Sequence, residues 1–404
     1  MKIVYTSDTY YPRPQGVATC IDASIAYLAK QGHEVHVIAP EYPEGDNRIL
    51  PAGITVHRFK SYPLWFTTNK EERYVFKGNF DNIRQLLAVL QPDVIHNHQE
   101  FTIGHIAAAW AKQNKVPLVQ TIHTYYPPYF KIYVPIMPLR FWEWFIKVNS
   151  KRFYSMGDMI VTPSAEMRQV AKEQYNITKE IEVVSIGIDM AKFSGSEASY
   201  TVHHEQILNK YPRLKDRKRL LFVGRISHEK NVEFLFKVMQ KLTAKRNDVE
   251  LLMVGAGAYV NRYKKLVKTM QIDDYVSFLG IYPNHEIKAI YTLSHIFTFA
   301  SVTETQGVVT AEALVNSLPV VAIAALGTNS VLKDERGGFL VNEDVDDFLA
   351  KVELLLDNKE IYEQKKHEAA IRGKELSFDS STGPQLEGLY GQLIQQFKLP
   401  KEDK

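Results

Sequence analysis

Phe299-Ala-Ser-Val-Thr-Glu-Thr-Gln-Gly-Val-Val-Thr-Ala-Glu-Ala-Leu314 decides how this chain is read. Ser294 to Ser301 is an apolar run of strand length, Val302 to Gly307 is a loop at its carboxyl edge, and the spacing predicts a helix over Val308 to Asn316. Glu304 lies in the loop and Glu312 just over one turn into the helix, eight positions apart around Gly307. A buried strand followed by a loop and a helix is part of a βα unit, and open α/β sheets bind ligands at the carboxyl ends of such strands. Both carboxylates can then face one crevice and accept hydrogen bonds from vicinal hydroxyls of a sugar or ribose. The plain alternative is an ordinary loop glutamate beside a solvated helix glutamate.

Upstream, Arg219-Leu-Leu-Phe-Val-Gly-Arg-Ile-Ser-His-Glu-Lys-Asn231 reads as a strand ending at Gly224, then Arg225 and Lys230, then a helix from about Val232. Two cations and a helix N-terminus at one strand end suit a diphosphate, although a basic loop by itself is ordinarily just solvated. Taken with the glutamate pair, Gly224-Arg225 and Glu229-Lys230-Asn231 resemble the donor-site motifs of retaining, nucleotide-sugar-dependent glycosyltransferases of family 4. The resemblance runs over nearly the whole chain.

It implies the GT-B fold, an α/β architecture of two doubly wound Rossmann-like domains facing a central cleft. Residues 1–190 would bind the acceptor, residues 191–375 the nucleotide sugar, and a final helix within 376–404 would cross back onto the first domain. The resemblance also assigns roles. Arg225 and Lys230 would stabilise the leaving diphosphate, Glu304 would hold the hexose and Glu312 the ribose, and Gly16, Gly224, Thr305, Gln306, Gly307 and Val308 would line the donor. His123, in Gln120-Thr-Ile-His-Thr124, matches the family's histidine after the fifth strand, which contacts the hexose near the reacting centre. Thr124 stands where the family commonly has an aspartate.

The rest of the chain agrees with a large soluble enzyme. Strand-like and helix-like runs alternate on both sides of a more polar interval, about Ala191 to Lys218. At 404 residues, 45% hydrophobic and 24% charged, the chain can bury two cores, and its formal charge of +3 is too small to argue for nucleic acid. Cys20 is the only cysteine, so a reducing cytosol fits, and no apolar run approaches the roughly 20 residues of a membrane span.

Three patterns mimic other sites. Gly255-Ala-Gly257 follows a strand as a dinucleotide fingerprint would, but Val260 replaces the third glycine and a tight turn is the simpler reading. Asp344-Val-Asp-Asp347 resembles a metal-binding aspartate pair, yet acids are expected at a helix start. His96 and His98 share a strand face without a carboxylate or cysteine to complete a zinc set. No metal site and no cofactor are expected.

Ser7-Asp-Thr-Tyr-Tyr-Pro-Arg-Pro-Gln-Gly-Val-Ala-Thr19 joins the first strand to the first helix. The family usually has two glycines at its end, whereas Gln15 here leaves only Gly16 to approach a ligand or to serve a plain turn. Tyr125 to Arg152 is dense in aromatics and cations, including Lys131, Arg140, Trp142, Trp144, Lys147 and Lys151. Such a segment suits shallow insertion into an anionic membrane. In the alternative it is a core helix with Trp142, Phe145 and Val148 packed on the sheet.

Glu304-Thr-Gln-Gly307, Asp8-Thr-Tyr-Tyr-Pro12 and Gly16-Val17 together resemble bacterial glycosyltransferases that glycosylate diacylglycerol. That implies UDP-glucose as donor, diacylglycerol as acceptor, and a cytoplasmic enzyme peripheral on the inner face of the cell membrane. A soluble transferase acting on a polysaccharide, protein or small glycoside, and a sugar-nucleotide epimerase of the same architecture, are the rival readings.

Overall fold

The structure, a computed structural model, describes residues 1–13, 16–64, 73–126, 138–185, 187–193 and 197–399. The chain divides into two compact units, Met1–Gly187 with Phe378–Lys404, and Ile188–Ser377. In the first, a parallel sheet runs β3-β2-β1-β4-β5-β6-β7. Its strands are β1 (Lys2–Thr6), β2 (Glu34–Pro40), β3 (Ile54–Phe59), β4 (Val94–Asn97), β5 (Leu118–Thr121), β6 (Met159–Thr162) and β7 (Ile181–Val183).

The second unit repeats the plan. Its six strands are β8 (Lys218–Val223), β9 (Val249–Val254), β10 (Val276–Gly280), β11 (Ile296–Phe299), β12 (Val320–Ile323) and β13 (Gly338–Val341), in the order β10-β9-β8-β11-β12-β13. Parallel strands with helices over both faces are buried along their length, as all of Val249–Val254 is, and the one charged residue there, Glu250, is paired with Arg213 and Arg217. In both units a first strand is flanked by earlier-paired neighbours on one side and later ones on the other. This is the doubly wound order, whose switch point lies between β1 and β4 and between β8 and β11.

The crossings between units lie at 187/188 and 377/378, a few residues from the divisions at 190 and 375 that the family resemblance implies. Backbone pairing sets them: the Ile188 N–H donates to the Leu376 carbonyl at 2.8 Å, and Ile188 opposes Ser377 in a parallel bridge. The last helix, Gly383–Lys398, carries Pro384 in its first turn, where a missing N–H is harmless. It buries Leu386, Tyr390 and Leu393 in the first unit, where the Tyr390 and Tyr5 hydroxyls are 2.7 Å apart.

The glycine pair after β9 is a packing device. A Cβ at Gly255 would lie 1.9 Å from the Gly224 carbonyl oxygen, and one at Gly257 would lie 2.1 Å from that of Ile226. Among the described residues no helix is long and apolar enough to cross a membrane.

Candidate active site

At the switch point of the second unit, β8 is followed by Gly224, whose φ of +151° lets the chain turn sharply into Arg225. A 3₁₀ turn, His228–Lys230, then leads into helix Val232–Thr243. Ser301 Oγ, just beyond β11, donates to the Glu229 carbonyl at 3.2 Å and ties this turn to the neighbouring loop. Across that stitch Lys230 Nζ donates to Glu304 Oε2 at 2.5 Å, both side chains mostly sheltered from solvent. The Lys230 ammonium also lies 5.7 Å from the centre of the Phe299 ring.

The Arg225 guanidinium lies 3.3 Å from Glu229 Oε1, which also accepts from Ser227 Oγ at 2.7 Å. Glu229 is thus an ion-pair partner of Arg225 within this turn, a contact that the residue spacing alone does not reveal. The Glu304 carbonyl accepts from the Gly327 N–H at 2.8 Å, and Thr305 and Gln306 pack so closely on Gly327 that a Cβ there would meet their backbone at 2.5 Å. Gly307 is left-handed, with φ +69°, and opens helix Val308–Val315. On that helix the Glu312 carboxylate is buried, accepting from Tyr291 Oη at 2.8 Å and from the Lys192 ammonium. The structure thus gathers Gly224, Arg225, Lys230, Glu304, Thr305, Gln306, Gly307, Val308 and Glu312 on adjoining strand ends of one unit.

His123 and Gly16 belong to the other unit. Gly16 is exposed at the start of helix Gly16–Lys30, and Gln15 lies outside the described residues. His123 follows β5, is buried, and shares a 2.8 Å hydrogen bond with His98, whose ring stacks on Tyr5. His96 is bonded at both ring nitrogens, 2.5 Å from Tyr390 Oη and 2.6 Å from Thr121 Oγ1. The histidine row is therefore wired to hydroxyls and to the C-terminal helix. Asp8 serves another helix, with Oδ1 accepting from Thr102 Oγ1 at 2.7 Å and from the Ile103 N–H at 2.9 Å. Asp344 likewise caps its own helix, accepting from the N–H groups of Asp346 and Asp347 at 2.9 Å.

Burial holds His96 and His98 well below the ordinary histidine range and pushes His123 down to about 3. The folded chain keeps all three neutral, whereas the unfolded chain takes up their protons as pH falls through about 6.5. Their stabilisation is therefore complete above pH 6.5 and lost below it, by about 1.4 kcal/mol per pH unit for each fully titrating residue. Glu100 opposes this: burial raises its carboxyl to about 7, so its contribution is complete below about 4.5 and fades as pH rises through 7. Three histidines outweigh one carboxyl, so thermal unfolding measured from pH 7 to 5 should show a steeply falling midpoint. A flat midpoint over that range would contradict the burial of the row.

Helix Leu139–Tyr154 turns Ile146, Ser150, Phe153 and Tyr154 inward. Outward it presents Phe141, 37% exposed, Trp144, 60%, Phe145, 37%, and Val148, 50%, among the exposed Arg140, Lys147 and Lys151. The packing alternative, with Phe145 and Val148 inside, is corrected, while Trp142 is half-buried against Phe141 and Phe145. Lys131 lies outside the described residues.

Residues 14–192 match the family described as Glycosyltransferase Family 4, and residues 204–372 match Glycosyl transferases group 1. The chain belongs to glycosyltransferase family 4. It is a nucleotide-sugar-dependent glycosyltransferase of GT-B fold. This glycosyltransferase is 29% identical over 340 residues to the alpha-monoglucosyldiacylglycerol synthase of Streptococcus pneumoniae, covering 84% of this chain and 75% of that one. It is 26% identical over 358 residues to the enzyme of the same name from Acholeplasma laidlawii, covering 85% of each. Among solved structures, Anabaena HepE in complex with UDP and glucose superposes with a TM-score of 0.74 at 16% identity, over 97% of this chain and 99% of that one.

Proposed function

We infer that this glycosyltransferase moves glucose from UDP-glucose onto 1,2-diacylglycerol, with retention of configuration, at the anionic inner face of the cell membrane. The observation that carries the lipid reading is the outward face of helix Leu139–Tyr154, where exposed aromatics sit among cations. Aromatic rings settle at the headgroup boundary and basic side chains meet anionic lipid. The names of the Streptococcus and Acholeplasma relatives support the same acceptor.

In this reading charge grows on the diphosphate as the sugar–phosphate bond breaks, and Arg225 and Lys230 stabilise it. Glu304, already bonded to Lys230, accepts from hexose hydroxyls, and Glu312 accepts from the ribose. The acceptor hydroxyl attacks the anomeric carbon from the face the phosphate leaves, and the departing phosphate takes its proton. No side chain is assigned as nucleophile. Because side-chain cations do the neutralising, no metal is required. Excess chelator should leave most of the transfer rate intact, and complete loss reversed by magnesium or manganese would contradict this.

The test is to incubate the enzyme with labelled UDP-glucose, UDP-galactose or GDP-mannose, mixed lipids and water-soluble glycosides. Label from UDP-glucose should enter the lipid fraction. Label in a soluble glycoside instead would favour a soluble acceptor, and interconversion of the nucleotide sugar without acceptor would favour an epimerase.

A further inference from the structure

Glu312 lies on helix Val308–Val315 with its side chain 6% exposed, and both of its oxygens are engaged by protein donors. Oε1 takes the Lys192 ammonium, and Oε2 takes the Tyr291 hydroxyl at 2.8 Å. An ionised carboxylate offers about four lone-pair positions, so one acceptor position is left on each oxygen. One remaining acceptor position on each oxygen matches two vicinal hydroxyls.

The Lys192 ammonium pairs with the buried carboxylate through a charge-assisted bond and fixes its orientation. The arrangement is anchored on three elements. Lys192 sits in the 3₁₀ turn Met190–Phe193, directly after the backbone pairing of Ile188 with Leu376 and Ser377. Phe193 meets Tyr291 edge-on with ring centres 6.1 Å apart. Burial, with the Glu312 charge adding to it, holds the Tyr291 hydroxyl far above its ordinary range, so it remains a donor.

We propose that Lys192 is a positioning residue that holds the Glu312 carboxylate aimed for the nucleotide ribose, with Tyr291 fixing the second oxygen. The proposal rests on the assignment of Glu312 to the ribose. A purely structural role, in which the ion pair only fastens the start of this unit to helix Val308–Val315, makes a different prediction.

Calorimetric titration with UDP and 2′-deoxy-UDP separates them, using wild type, Lys192→Met, Lys192→Arg and Tyr291→Phe, each first checked by thermal melting. Wild type should favour UDP over its 2′-deoxy analogue by about tenfold or more, since a site built to bond a hydroxyl rejects the analogue lacking it. Lys192→Met should weaken UDP about tenfold while changing 2′-deoxy-UDP much less, so that the preference collapses. Lys192→Arg should keep the preference and Tyr291→Phe should reduce it, and the donor KM should move more than kcat. Equal weakening of both nucleotides in Lys192→Met, or an undiminished preference, would overturn the proposal. If Lys192→Met melts early, loss of the preference in Tyr291→Phe with retention in Lys192→Arg supports it, and no change in Tyr291→Phe overturns it. Wild type that binds UDP without any preference would refute the ribose assignment, and the proposal with it. Failure of wild type to bind UDP, GDP or ADP would refute the donor site as a whole.

Discussion

Replacing Lys230 with alanine should lower kcat by about a hundredfold or more while the melting temperature stays near that of wild type. The size follows from removing a fixed charge that stabilises a developing anion, which costs roughly a hundred- to a thousandfold when one such group is lost. The ammonium stands 2.5 Å from Glu304 at the edge of the sheet, outside the buried core, so folding should survive its loss. An orphaned carboxylate could by itself disturb the site, and Lys230→Ala combined with Glu304→Gln controls for this. If the cation acts on the diphosphate, the double variant is no faster than the single one. Arg225→Ala should also fall about a hundredfold, and Glu229→Gln should fall less, because the latter only loosens a guanidinium that is itself 40% exposed. Near-normal turnover in both Lys230→Ala and Arg225→Ala would remove the donor-site assignment.

The second large effect is on membrane binding. Each of Arg140, Lys147 and Lys151 should contribute about 1 kcal/mol near an anionic surface, so replacing all three with glutamine should weaken vesicle partitioning on the order of a hundredfold. Adding Trp144→Ala removes the most exposed aromatic of the helix and should weaken it further. Sedimentation with phosphatidylglycerol vesicles should show wild type bound at low salt and released as salt rises, because exposed charges are screened beyond about 10 Å at 0.1 M. Donor binding should be untouched. Equal partitioning of wild type and variant, or wild-type indifference to anionic lipid, would transfer support to a water-soluble acceptor.

The stretch from Phe299 to Leu314 was legible because parallel strands are buried on both faces and read as unbroken apolar runs, while Gly307 marks the left-handed start of the next helix. Lys230 and Glu304, 74 residues apart, could be placed together because both lie at strand ends beside the switch point. Links without such a landmark were not legible. Lys192 reaches Glu312 from an interval that reads only as polar, and Asp8 binds the amide of Ile103, 95 residues away. His98 and His123 meet because β4 and β5 are neighbours, a fact of strand order rather than of composition. Helix Leu139–Tyr154 could not be phased from its sequence because aromatics lie on both faces. The choice of Ile146, Ser150 and Phe153 as the inner face is made by the tertiary packing.

The most direct measurement supplies UDP-glucose labelled in the sugar to the enzyme on phosphatidylglycerol vesicles with and without 1,2-diacylglycerol, then follows the label and the anomeric configuration of the product. The account predicts that label enters the lipid phase only when diacylglycerol is present, as a monoglucosyl lipid of α configuration. Label that stays in water as free glucose or a soluble glycoside despite ample diacylglycerol, or a lipid product of β configuration, would contradict it.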